Sequence, residues 1–166
     1  MLGASVASIL VLALPGCSAR SKTVTGQAIQ TDLRAFKILA LQVDAAVSQD
    51  AEKEKAELVS ETVTRIKNRR VFDDVRIATA NENTPGTLLM KATITRLKKI
   101  GGGKRMMLGA FAGRANVTVR VQLIDAGTGK EIGASTVTGE SGGTGISGGT
   151  GDAISKVAEA LARMVG

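Results

Sequence analysis

The sequence predicts an α+β (α/β sandwich) fold: one mixed, mainly antiparallel sheet in the order β-α-β-β-β-β-α, with the helices packed on it. Three observations carry this expectation. Residues Ala115 to Asp125 alternate strictly, with Val117, Val119, Val121 and Leu123 on one side and Asn116, Thr118, Arg120 and Gln122 on the other. That is the period of a strand with one face in a core. Two other stretches, 50–68 and 152–165, place apolar residues at helical spacing instead. Between two strand patterns, Asp125-Ala-Gly-Thr-Gly-Lys130 has the composition of a hairpin turn.

Arg34 to Val43 reads as the first strand. Leu39, Leu41 and Val43 share one face and Phe36, Ile38 and Ala40 the other, so an interior position in the sheet is expected. Ser48 or Asp50 can cap a helix reaching about Asn68. Glu52, Glu54 and Glu57 lie early in it and Arg65, Lys67, Arg69 and Arg70 late, which suits the helix dipole. Its stripe of Leu58, Val59, Val63 and Ile66 is expected to face the core. Val71 to Ala78, with Phe72, reads as a second strand, and Asn81 to Gly86 as a loop. Thr87 to about Ile100 is a long third strand; Ala115 to Asp125 and Glu131 to about Gly139 are the last two. The glycine-rich stretch 139–151 reads as a linker. Asp152 is expected to cap a final helix that buries Ile154, Val157, Ala158, Leu161 and Met164.

The N-terminal segment points to a cell envelope. Residues 1–19 carry no charged side chain, and Val6 to Leu14 is apolar. This run is too short for a membrane span, which needs about 20 residues, but suits a secretory signal. It leads into Leu14-Pro15-Gly16-Cys17, the pattern in which a bacterial cysteine is diacylated and becomes the mature N-terminus. Residues 1–16 are therefore expected to be a lipoprotein signal peptide, Cys17 the lipidated and palmitate-bearing residue, 17–32 the lipidated Cys with a polar tether, and 33–166 a single domain. Extended, the tether from Ser18 to Asp32 reaches at most about 50 Å. Ser18 stands where an Asp favours inner-membrane retention, so an outer-membrane lipoprotein facing the periplasm is expected.

Composition narrows the chemistry. The chain has no His, Trp or Tyr, and its three Phe are Phe36, Phe72 and Phe111. Without His, neither Ser-His-Asp nor Cys-His catalysis nor an imidazole metal site is available. The aromatics on which single-stranded nucleic acids stack are missing too, so no nucleic-acid partner is expected. Asp73 and Asp74 are adjacent carboxylates, but neighbours on a strand point to opposite faces. Gly143-x-Gly145-x-x-Gly148 spells a dinucleotide fingerprint, yet lacks the following strand and the acidic residue about 20 positions on. Gly127-Thr-Gly-Lys130 lacks P-loop spacing. No enzyme, cofactor or metal is expected.

The net charge of +7 is concentrated. Between Asn83 and Ile124 there are eight basic residues and no acidic ones, whereas the rest of the chain holds 14 basic and 15 acidic. Within this stretch Lys98, Lys99, Lys104, Arg105 and Arg114 form a candidate anion-binding patch. The loop 101–114 also contains Met106, Met107, Leu108 and Phe111, flanked by glycines and cations. They fit a fold-back over the core, a subunit interface or a segment touching lipid.

From Leu89 to Val165 the pattern resembles the bacterial lipoprotein family labelled domain of unknown function 4410. The resemblance lies in the glycine-basic loop ending Gly109-Ala-Phe-Ala-Gly-Arg114, the valine-rich strand, the Asp125…Thr128-Gly129 turn, the second glycine tract and the final helix. It implies an envelope lipoprotein with an α/β domain and brings no activity or catalytic residues. The element order is also similar, more remotely, to periplasmic lipoproteins that assemble into rings around secretion systems. The expected function is thus that of an envelope-anchored lipoprotein acting non-enzymatically through self-assembly or partner contact. The alternative is a periplasmic domain that binds an anionic ligand or polymer through its basic loop.

Overall fold

The structure, a computed structural model, describes residues 22–24, 32–99, 114–142 and 149–166. Its elements are β1 (Lys22–Val24), a 3-10 turn (Leu33–Ala35), β2 (Ile38–Ala45), α1 (Glu52–Arg69), β3 (Asp74–Ile77), β4 (Thr87–Lys98), β5 (Asn116–Asp125), β6 (Lys130–Glu140) and α2 (Thr150–Val165). From β2 onward this is the expected β-α-β-β-β-β-α order. The strands form one sheet, β1-β6-β5-β4-β2-β3. The pairs β1–β6, β6–β5 and β5–β4 are antiparallel, while β2 runs parallel to both β4 and β3. The sheet is mixed and mainly antiparallel, as the sequence predicts.

Both helices cover the same face. The register aligns Leu39 with Leu88 and Leu41 with Met90, then Met90 with Leu123, Ala92 with Val121, Ile94 with Val119 and Leu97 with Val117. These residues form one buried layer with Leu58 and Ile66 of α1 and Ile154, Val157 and Leu161 of α2. The strict alternation in β5 follows from one face lying under the helices and the other being helix-free. On the opposite face, Ala40, Leu89 and Ala126 make a small second cluster under Ala78.

Several boundaries differ from the sequence reading. The first strand begins at Ile38, four residues late, because Leu33–Ala35 closes a 3-10 turn with Asp32 accepting from the Arg34 amide. α1 has Ala51 at its N-cap, and Asp50 accepts the Glu52 amide at 3.1 Å from just outside. The helix ends on a left-handed Arg70 (φ 55°) whose amide returns to the Lys67 carbonyl. β3 spans four residues rather than eight, since β2 offers it only Ile38 to Leu41. Asp152 does not cap α2: the helix starts at Thr150, and Asp152 instead accepts the Gly142 amide (2.8 Å) and pairs with Lys156 (3.2 Å). Satisfying the amide at the end of β6 outweighs the local capping preference.

Candidate functional site

The first candidate site is a cationic corner that depends on a single extra residue. In β4 the core-facing positions are Leu88, Met90, Ala92 and Ile94. Continued alternation would send Arg96 and Lys98 inward as well. A β-bulge between Ile94 and Arg96 prevents this. It adds Thr95 to the outer side, brings Leu97 into the core opposite Val117, and leaves Arg96 and Lys98 exposed on the helix-free face. There they line a shallow depression of about 290 Å³ with Arg114, Asn116 and Glu140. Glu140 takes up part of the charge, accepting from Asn116 at 3.4 Å and lying 3.9 Å from Arg114. Arg120, opposite Thr93 and Thr136, extends the basic stripe along the same face. Among the described residues, Arg96, Lys98 and Arg120 make no ion pair.

Lys99 leaves the expected patch. Its ammonium turns to the helix side, 2.8 Å from Oε2 of the buried Glu54, and donates to the Asp50 carbonyl at 2.6 Å. Beside it Gln49 donates to the Leu97 carbonyl. The Glu54 contact has ion-pair distance without hydrogen-bond alignment. Lys99 therefore ties the end of β4 to the start of α1. Lys99→Ala strands a carboxylate that is only 7% exposed and should cost about 1–3 kcal/mol, discounted because Lys99 itself is 38% exposed. Glu54→Met removes the buried charge and should stay within about 1 kcal/mol of the parent. Urea titrations followed by circular dichroism measure both; equal losses would refute the desolvation account. Of the other sequence candidates, Lys104, Arg105, Met106, Met107, Leu108, Phe111 and Cys17 lie outside the described residues.

Two further carboxylates are held by cations. Glu159 of α2 meets Arg163 (2.9 Å), Arg65 (3.2 Å) and Arg69 (3.3 Å), clamping the two helices. Its pKa is lowered by the Arg163 hydrogen bond first, then by the charges of Arg163, Arg65 and Arg69, with burial opposing. Glu82, in the 78–86 connection, accepts from Thr84 at 2.7 Å and Arg76 at 3.1 Å. Its pKa is lowered, with the Thr84 hydroxyl as main cause, burial opposing and Arg76 assisting. The unfolded chain protonates these groups near 4.5, the folded chain only at lower pH. Both thus contribute stability that is complete above about 4.5 and lost as pH falls through the folded values. Melting temperature should drop as pH falls from about 5 through the folded values, and less steeply in Glu159→Gln.

The second candidate is an apolar groove that the sequence reading missed. Val59 and Val63, expected in the core, are only half-buried. With Ala56 of α1, Val43 of β2 and Ile77 of β3 they border an open groove of about 580 Å³. The core side of α1 keeps Leu58 and Ile66 of the expected stripe and adds Glu54 and Thr62, with Val63 packing against the core from its margin. Ile77, at 64% exposure, is the most exposed large apolar side chain among the described residues. The short β3 is the cause, because four residues of edge strand cannot cover the flank of an 18-residue helix.

Among the described residues, no group of three or more Cys, His, Asp or Glu could hold a metal, and no helix is long and apolar enough to cross a membrane. The layout is that of an α+β domain with one helix-free, basic sheet face. The chain belongs to the family described as Domain of unknown function (DUF4410), whose model matches residues 20–145. This match reaches well upstream of Leu89, where the resemblance read from the sequence began. Among solved structures, two of the PelC dodecamer from Paraburkholderia phytofirmans share the fold. One is 19% identical with a TM-score of 0.52, covering 87% of this chain and 97% of that one. The other is 18% identical with a TM-score of 0.51, covering 89% and 94%. No curated protein matches the chain.

Proposed function

We propose that the chain is an outer-membrane lipoprotein, anchored through Cys17 and facing the periplasm, that acts without catalysis by assembling with copies of itself. The observation that carries this reading is the helix-free sheet face, where Arg96, Lys98 and Arg120 stand exposed with no ion-pair partner among the described residues. A broad polar face with unspent charge is suited to meeting another protein surface. The PelC subunits that share the fold are dodecamers, which supports assembly as the mode of action. The test is the absolute mass of the mature chain by light scattering with refractive-index detection, since the chain has no Trp or Tyr. A discrete multimer is expected; a monomer across the micromolar range overturns the reading.

The depression between Arg96, Lys98 and Arg114 favours a second reading, binding of an anionic polymer. Polyglutamate binding should then weaken steeply as salt rises beyond about 0.15 M. It should fall further in Arg96→Ala and Lys98→Ala. Binding indifferent to both variants would remove this site.

A further inference from the structure

The free edge of the sheet and the groove beside it are complementary to themselves. In β3 the Asp74 amide donates to Lys37 (3.3 Å) and the Ala78 amide to Leu41 (2.8 Å). Backbone groups alternate sides along a strand, so Val75 and Ile77 turn their N–H and C=O away from the sheet. β3 is the last strand, and no other strand pairs with that side among the described residues. The side chains of Val75 and Ile77 lie on the helix face, in register with Leu39 and Leu41, where Ile77 opens into the groove under Val59 and Val63.

We propose that this edge and groove form half of an isologous interface with a second copy of the chain. The two β3 strands pair antiparallel, and the two α1 helices meet across the joined grooves. The inference rests on the self-assembly reading and supplies one of its interfaces. With Val75 opposite the partner's Ile77, each outward residue exchanges both of its hydrogen bonds with its counterpart. The two-fold axis then passes through Arg76 perpendicular to the sheet, which keeps the helices of both copies on one side. Each copy fills the other's groove margin with the side chain its own edge leaves uncovered. Charge agrees with this. Positions 52, 56, 59, 63 and 67 share one face of α1, with Glu52 at its start and Lys67 at its end. Antiparallel helices bring each Glu52, which already holds its own Lys55 at 3.1 Å, towards the partner's Lys67. Arg76 meets its own copy on the axis, but each guanidinium is already held by Glu82 at 3.1 Å. An extended foreign peptide could occupy the edge, but only a second copy brings, by symmetry, a cation opposite each Glu52 and an anion opposite each Lys67.

Two variants of the mature full-length chain test this. Ile77→Pro removes an outward amide and the exposed side chain while keeping the bonds to β2. Its mass by light scattering should fall to about half that of the parent. Arg76→Cys places a thiol on the axis, where facing Cα atoms of a non-hydrogen-bonded pair lie about 4.5 Å apart, within disulfide reach. It should yield a covalent dimer on mild oxidation, whereas the parent and Asp74→Cys should not. A parent multimer whose mass survives Ile77→Pro, with no Arg76→Cys crosslink, overturns this interface and leaves the assembly reading standing. A monomeric parent overturns both, whatever peptide it captures. Should Ile77→Pro fail to fold, the Arg76→Cys crosslink decides alone.

Discussion

Gly139→Ala should cost about 3 kcal/mol, towards the upper end for a tight overpacking substitution. Gly139 lies where β6 passes directly beneath α2. A Cβ built there would stand 2.1 Å from the Ala153 carbonyl oxygen and 2.9 Å from Cγ2 of Val157. Both helix residues are fully buried. The nearer obstacle is a backbone carbonyl, which cannot rotate away as a side chain could, so helix and strand must separate along their whole contact. For a domain of this size the loss corresponds to roughly 6–12 °C in melting temperature, measurable by circular dichroism. Gly149→Ala is the comparison: nothing lies within 4 Å of its added carbon, and as the N-cap of α2 it should lose only about 1 kcal/mol. A shift below about 2 °C in Gly139→Ala would mean that α2 sits farther from the sheet than described.

Leu161→Ala should cost about 2–5 kcal/mol, while Met164→Ala should cost about 1 kcal/mol or less. Leu161 is fully buried in the core that the two helices form on the sheet, and truncating it leaves a cavity that the rigid sheet cannot close. Met164 was expected in the same stripe. The helix instead buries Ala153, Ile154, Val157, Ala158, Leu161, Ala162 and Val165, so its last core position falls four residues beyond Leu161 rather than three. Equal losses in the two variants would place the helix in a different rotation.

How much of this was legible depended on whether a local pattern had one physical cause. β5 could be read residue by residue because a single face is dry along its whole length. The hairpin turn was equally plain: Asp125 accepts from Gly127 and Thr128, and Gly129 takes the positive φ of 71° that favours glycine. In α1 the sequence places Leu58 and Ile66 in the core correctly but cannot set Val59 and Val63 apart from them, because all four fit one helical arc. Which half is covered depends on how far β3 extends, and hydrogen-bond partners in β2 set that. The bulge at Thr95 was invisible for a similar reason: Thr-Ile-Thr-Arg-Leu-Lys fits an unbroken strand, and only the demand for Leu97 inside reveals the extra residue. The cationic corner was thus visible as composition but not as geometry, and Lys99 could not be separated from Lys98 without knowing where Glu54 lay.

The three residues of β1 would decide how a chain lipidated at Cys17 can sit on a membrane. They pair with Thr136 to Thr138 of β6, within the stretch that reads as a tether. With a lipid on Cys17, as proposed, only four residues separate the anchor from Lys22 of the sheet, a leash of five residue steps and about 17 Å at full extension. The β1 edge is then moored close to the headgroups. β3 lies five inter-strand spacings away, about 24 Å across the sheet. A single copy can stand upright on its moored edge. Two copies joined at β3 cannot, because their leashes emerge at opposite ends of a twelve-strand sheet. Such a pair must lie lengthwise along the bilayer, held down at both ends.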